Sequence, residues 1–308
     1  MSFITHNKKR ILNVFIASRD RPILTEKTID SIYDNSTIFD KIYISCYDNL
    51  SLPDQNRFSM FSRLLSDGKI HFYSYDTNYS VGECFPKAVE VNRWMNSMVL
   101  NFNMAKIWDP TGINQQYFML IDNDMLLGPD WDKVFVSSID SYHSKDLYFI
   151  TQFPGGITAR GGNRDMSKTE QFTIKNKFSN STFDFITASR GGSSGFWFMD
   201  IEMIKKLIWK DSMYIEVFRR YKKQDSATWK MIIEKHGRDY KYVGAVVPEP
   251  GAPYVVHLGD YVGSICKSEM MKKYGSEKKQ FMYKEEVRFK NKNHREIYEE
   301  FKEKGSQW

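Results

Sequence analysis

Five short apolar runs, separated by stretches with helical spacing, fill the first 152 residues. This alternation limits the folds open to the chain more than any other feature. The runs are LNVFIA (12–17), KIYISC (41–46), IHFYSY (70–75), YFMLI (117–121) and LYFITQ (147–152). Between them, LTEKTIDSIYDNS brings Leu24, Ile29, Ile32 and Tyr33 near helical spacing, and NRFSMFSRLL sets Phe58, Phe61, Leu64 and Leu65 on one helical face. GECFPKAVEVNRWMNSM reads as a helix with Pro86 in its first turn, where proline is tolerated, and DWDKVFVSSI reads as another. Strands alternating with helices predict an α/β chain, with a mostly parallel central sheet flanked by helices. Such sheets bind ligands beyond the carboxyl ends of their strands. Asp48, Asp122 and the turn SRDRP (18–22) all fall there.

The fourth run stops abruptly at Asp122-Asn123-Asp124. Side chains alternate along a strand, so a strand carried through this triplet would point both carboxylates to one side. Like charges so placed raise each other's proton affinity, and a divalent cation between them makes the arrangement favourable. A turn or a helix cap is the plain alternative for such a triplet. Its place after a buried strand in a β-α series favours the ion.

Composition narrows the class. The chain has 308 residues, 41% hydrophobic and 15% aromatic, which is ample for a core and allows two domains or one large α/β unit. No apolar stretch approaches the ~20 residues of a membrane helix, and the opening MSFITHNKKR leads into no signal peptide. Cys46, Cys84 and Cys266 are odd in number and scattered, against a disulfide framework or a cysteine zinc site. A cytoplasmic protein is expected. Residues 264–308 hold 12 Lys and Arg against 8 Glu, a net +4 of the chain's +6. Lysine pairs there alternate with Tyr274, Phe281, Tyr283 and Phe289. Such a tail suits an anionic partner, either DNA or a membrane surface to which the protein is peripheral. Helices packed on the core by the same aromatics, their lysines solvated, are the alternative.

The remainder is less regular. Residues 153–195 carry two glycine-rich pieces, PGGITARGG and SRGGSSG, around polar and aromatic segments able to form short strands. Arg160, Arg164 and Arg190 in those pieces could close over phosphates. GFWFMD reads as a strand, IEMIKKLIW and DSATWKMIIEKHG as helices, and YKYVGAVV as a strand. PEPGAPYVVHLGDYVGS reads as a loop with one short apolar run. Trp197 and Trp229 could stack on a sugar or base, though large aromatics near helices usually belong to a core. No Walker loop, Rossmann glycine motif or H-E-x-x-H zinc motif is present.

VFIASRDRP (14–22), IYISCYDN (42–49), DTNYSVGECFPKAVE (76–90), LIDNDM (120–125), GGSSGFWFMDIEMIKKL (191–207) and KQDSATWKMI (223–232) follow one another in a telling order. Together they resemble the GT-A class of nucleotide-sugar glycosyltransferases, above all glycosyltransferase family 2 and its relatives, over roughly residues 11 to 260. Three departures stand out. Asp20 holds a place where Asn is common, two extra residues separate Asn78 from Gly82, and Gln224 replaces the Glu of a catalytic Glu-Asp pair.

The resemblance implies a GT-A fold (a nucleotide-diphospho-sugar transferase) with a charged helical C-terminal extension. Residues 1–125 would bind the nucleotide sugar, 126–263 the acceptor and the catalytic groups, and 264–308 would be the basic extension. Ser18, Arg19, Arg21, Asp48, Asn78 and Asp122 would line the donor, with Asp48 on the base. Asp122 and Asp124 would hold Mn²⁺ or Mg²⁺, which stabilises the charge developing on a leaving nucleoside diphosphate. His257, closing the run in VVHLG, would complete the metal shell, since Mn²⁺ accepts imidazole as well as carboxylate. A core histidine is the alternative there. Asp225 would be the general base for an acceptor hydroxyl, giving an inverting transfer. It also opens a helix, where Asp is a common cap.

The implied reaction moves a sugar from a nucleotide-diphosphate donor, a UDP-sugar by preference, to a hydroxyl on a glycan, a lipid-linked saccharide or hydroxymethylated DNA. Two other readings stay open. Paired aspartates also suit a nucleotidyltransferase or phosphotransferase using two metals, and the basic tail suits a non-catalytic nucleic-acid-binding protein.

Overall fold

Each of the five apolar runs lies in or overlaps a strand in a computed structural model. It describes residues 8–18, 21–49, 55–76, 99, 101–142, 147–152, 170–188, 195–209, 234–237, 242–258 and 288–305. The strands are β1 (Arg10–Ser18), β2 (Lys41–Asn49), β3 (Phe72–Asp76), β4 (Gln115–Asp122), β5 (Met125–Leu127), β6 (Phe149–Gln152), β7 (Glu170–Lys175), β8 (Thr182–Ala188), β9 (Phe196–Asp200), β10 (Val243–Val247) and β11 (Val255–His257). The helices are α1 (Pro22–Asn35), α2 (Gln55–Ser66), α3 (residues 101–108), α4 (Trp131–Ser141), α5 (Ile201–Trp209) and α6 (His294–Gly305).

Among the described residues nine strands form one sheet in the order β3-β2-β1-β4-β9-β6-β10-β8-β7, and β5 and β11 form a second, two-stranded sheet. β1, β2, β3 and β4 run parallel to one another. β9 is inserted antiparallel between β4 and β6. β10 runs parallel to β6, and β8 turns back against β10 and β7. The sheet is therefore mixed: its β3-β2-β1-β4 half is parallel, as the alternation predicts, its other half interleaves β9 and β8 antiparallel, and residues before and after 126 both supply its strands. The glycine-rich middle contributes the β7–β8 hairpin at one edge.

The core forms where apolar side chains leave both faces of β9. Phe196 and Phe198 meet Phe135 of α4 edge-on. Trp197, between them in sequence, points the opposite way and stacks on Phe149 with ring centroids 4.2 Å apart. Trp197 is thus a core residue and stacks on no ligand. Cys46 is likewise buried. On α2, Phe61 and Leu64 are fully buried, but Leu65 is 47% exposed. The four apolar residues do not share one face, because Leu65 lies about 100° around the helix from Leu64. No helix among the described residues is long and apolar enough to cross a membrane.

A second apolar cluster lies under the small sheet. Leu126 of β5, Val256 and Leu258 at β11, and Leu24 of α1 bury against Phe289, Ile297, Tyr298 and Phe301. In the described part of the basic tail, Phe289 and α6 thus pack on this cluster, whereas Tyr274, Phe281 and Tyr283 lie outside the described residues. The Tyr298 hydroxyl donates to the Pro253 carbonyl at 2.5 Å. Gly128 makes room for it: a Cβ there would lie 2.5 Å from that hydroxyl and 2.7 Å from the Pro253 carbonyl oxygen. Backbone on one side and a docked ring on the other leave little freedom to relax. Gly128→Ala should therefore cost about 1–3 kcal/mol, the usual price of overpacking, measured as a lower urea midpoint with an unchanged slope.

Candidate functional site

Parallel pairing brings the chemistry-bearing strand ends together. Ser18 is opposite Asp48 on β2, and Ala17 is opposite Asp122 on β4. With strands about 4.8 Å apart, Asp48 and Asp122 stand roughly 10 Å apart across the end of β1. Asp48 is fully buried, and its carboxylate accepts a hydrogen bond from the Tyr73 hydroxyl at 3.2 Å. Ser18 is also buried. Its hydroxyl lies 3.0 Å from that of Thr25 and accepts from Asn123 Nδ2 at 3.5 Å.

The acidic triplet differs from a continuous strand. β4 ends at Asp122, Asn123 and Asp124 form a turn, and the chain re-enters strand structure at Met125. Period-two alternation consequently does not place the two carboxylates. Asn123 anchors the turn, donating also to Thr25 Oγ1 at 3.2 Å. Asp122 is only partly buried; its backbone N–H donates to the Gly195 carbonyl at 2.8 Å. A Cβ on Gly195 would meet the far end of Met125 and lie 3.4 Å from Asp122 Oδ2, so the last glycine of SRGGSSG abuts this aspartate.

Asp124 and His257, far apart in sequence, meet here. β11 pairs antiparallel with β5 so that His257 is opposite Met125, and the Leu258 N–H donates to the Asp124 carbonyl at 2.8 Å. That register leaves His257 Nε2 3.3 Å from Asp124 Oδ1. Within PEPGAPYVVHLGDYVGS, read as a loop with one short apolar run, Val255–His257 of that run form a strand, held on its far side by a side chain acting as a peptide group. Gln152 donates to the Val255 carbonyl at 2.9 Å and accepts from the Val255 N–H at 2.8 Å.

The Arg21 guanidinium pairs with Asp124 Oδ2. Arg21 is the residue before α1, whose N-terminus has no side-chain cap. Burial alone would raise the Asp124 pKa. The charges of His257 and Arg21, and the hydrogen bonds from both, outweigh it and hold the carboxyl well below the usual carboxylate range. Among the described residues no group of three or more His, Cys, Asp and Glu side chains is close enough to hold a metal ion. Asp124 and His257 meet as a pair, and Asp122 stands at the strand end one turn earlier.

Of the other residues singled out from sequence, Asp20, Arg19, Asn78, Arg160, Arg164, Arg190, Gln224, Asp225 and Trp229 lie outside the described residues. Asn123, Thr25, Tyr73 and Gln152 act at the site without having been anticipated. Nothing in their local sequence marks them, because each is defined by a partner remote in the chain.

No family model and no curated protein sequence matches the chain. Similar solved structures include a glycosyltransferase involved in the glycosylation of the major capsid of PBCV-1. It is 11% identical, with 87% of this chain and 98% of that one covered and a TM-score of 0.36. The glycosyltransferase GlyE of Streptococcus pneumoniae TIGR4 is 10% identical, with 77% and 46% covered and a TM-score of 0.33. TarS residues 1–349 of S. aureus is 10% identical, with 92% and 72% covered and a TM-score of 0.39. Likenesses of this size do not by themselves establish a shared fold.

The buried Arg21–Asp124–His257 cluster has a measurable signature. Asp124→Asn leaves Arg21 without its counter-charge and should cost about 3 kcal/mol at neutral pH, the scale for breaking a buried pair from one side. The depressed folded-state pKa stabilises the protein above the unfolded-state value near 4, and this contribution is lost as pH falls below that value. Urea unfolding from pH 7 to pH 3 should give a shallower acid limb for Asp124→Asn than for the natural protein.

Proposed function

We propose that this protein is a metal-dependent glycosyltransferase that moves a sugar from a nucleotide-diphosphate donor, a UDP-sugar by preference, to an acceptor hydroxyl. The observation that carries this reading is the meeting of Asp124 with His257 beside Asp122, at the carboxyl end of a central parallel strand. Function in the parallel part of an α/β sheet concentrates at that end.

The donors suit a hard divalent ion. Adjacent ligands on an octahedral ion with bonds of about 2.1 Å stand about 3 Å apart, and Asp124 Oδ1 and His257 Nε2 are separated by 3.3 Å. A carboxylate with an imidazole fits Mn²⁺, and Asp122 would add a second carboxylate. Bound there, Mn²⁺ or Mg²⁺ would neutralise the negative charge that grows on a departing diphosphate. The chain's own residues supply the rest. Asp48, two strands away and bonded by Tyr73, would accept from the N–H groups of a base, with the diphosphate then spanning the end of β1. Ser18 and Asn123 keep the floor between them rigid through Thr25. Asp225 is assigned as the general base on the strength of its sequence context alone.

The test is a panel of nucleotide sugars incubated with the full chain, with and without Mn²⁺, hydrolysis and transfer being read by mass spectrometry. Turnover of one nucleotide sugar that depends on Mn²⁺ and is abolished by EDTA is the expected result. Undiminished turnover in excess EDTA, or none with any donor, would refute the reading. Asp225→Asn, nearly isosteric, should lower turnover by about 10²-fold, the scale of general-base loss. A product with retained anomeric configuration would exclude that role for Asp225.

A further inference from the structure

We infer that Arg21 is a built-in, displaceable counter-cation of Asp124, which makes entry of the metal depend on the arrival of a diphosphate. This rests on the metal reading above and adds an order of binding to it. Both oxygens of the Asp124 carboxylate are already engaged. Oδ2 carries the Arg21 guanidinium, and Oδ1 faces His257 Nε2 at 3.3 Å. The cluster is nearly dry, with the side chains of Arg21, Asp124 and His257 only 11%, 6% and 17% exposed. A divalent ion arriving alone would meet a fixed positive charge at its own carboxylate, with little water to screen it.

Arg21 is built to swing while its backbone stays. Its carbonyl accepts both the Thr25 N–H at 2.9 Å and the Thr25 hydroxyl at 2.7 Å, and Pro22 follows it at the start of α1. The side chain has donors to spare: among the described residues Nε is buried without a hydrogen-bond partner. A guanidinium offers five donors in a planar fork that matches phosphate oxygens in pairs. A diphosphate therefore gives Arg21 a better partner than a single carboxylate oxygen. It also brings the negative charge that lets a metal and an arginine share the site. Release of Asp124 and capture of the diphosphate are then one movement. By reciprocity, the diphosphate strengthens metal binding by the factor by which the metal strengthens diphosphate binding.

Two substitutions separate charge from shape. Mn²⁺ is titrated into the full chain without nucleotide, free ion being read by electron paramagnetic resonance. Arg21→Gln, which removes the competing charge, should bind Mn²⁺ about tenfold or more tightly than the natural protein, within the usual range of coupling factors. Arg21→Lys, which keeps the charge, should stay near the natural affinity. Equilibrium dialysis of UDP, with and without Mn²⁺, supplies the second arm. The natural protein should bind UDP about tenfold or more tightly with the ion present, and Arg21→Gln should lose most of that gain. This arm on the natural protein can overturn the inference even where Arg21→Gln fails to fold.

Mn²⁺ affinity unchanged or weakened in folded Arg21→Gln, or UDP binding indifferent to Mn²⁺, would overturn the inference while leaving a metal-dependent transferase intact. Absence of Mn²⁺ binding to every variant, with and without UDP, would remove the metal reading and this inference together.

Discussion

The pairing of two three-residue strands is the constraint on which the candidate site depends. β5 and β11 are far apart in the chain, at Met125–Leu127 and Val255–His257, and their register alone decides which side chain of β11 faces Asp124. A slip of one residue would turn His257 to the other face of the small sheet, because side chains alternate along a strand. So short a ladder has little intrinsic stability. It is fixed from three sides instead: by the Gln152 amide clasping Val255, by Ser31 and Asn35 of α1 bonding the Leu127 backbone at 3.1 and 2.7 Å, and by Tyr298 on the Pro253 carbonyl. Each support is a directional hydrogen bond, which sets register more sharply than apolar contact can.

α1 links this small sheet to the large one. Ile29 and Ile32 belong to the main core, whereas Leu24 belongs to the cluster beneath β5 and β11. Between these apolar positions the helix carries buried Thr25, Thr28 and Ser31. Polar residues on a buried helical face are costly unless bonded. Thr25 and Ser31 satisfy that condition by holding Asn123 and Leu127, which bracket Asp124, Met125 and Leu126. α1 thus begins directly after Arg21 and sets the position of the acidic turn.

How much of this was legible in the sequence follows from the range of the forces involved. The alternation of apolar runs marked β1, β2, β3, β4 and β6, because a fully buried parallel strand must be apolar throughout. The acidic triplet was visible for the same reason, as charge at the end of such a run. Its geometry was not. The turn at Asn123 depends on hydroxyls that Ser18 and Thr25 contribute from another strand and helix. β11 was taken for loop because three residues flanked by PEPGAP carry no period to detect. Leu65 was misplaced because an apolar residue beside Leu64 looks the same in sequence whether it meets the core or water. Of the aromatics noticed in the basic tail, Phe289 is the described one, and only the presence of β5 and β11 beside it says what it covers.

The docking of α6 also has a consequence for the order of synthesis. Among the described residues every strand of both sheets precedes residue 258, whereas the cluster under β5 and β11 is closed by residues 289–301. During translation the N-terminal elements fold first, so the nine-stranded sheet can form while α6 is still inside the ribosome. The small sheet at that stage already has its bonds to Gln152 and α1, but it lacks the Tyr298 bond and its apolar underside is open to water. A nascent chain therefore brings His257 to Asp124 on a ladder whose underside is sealed only once α6 has emerged.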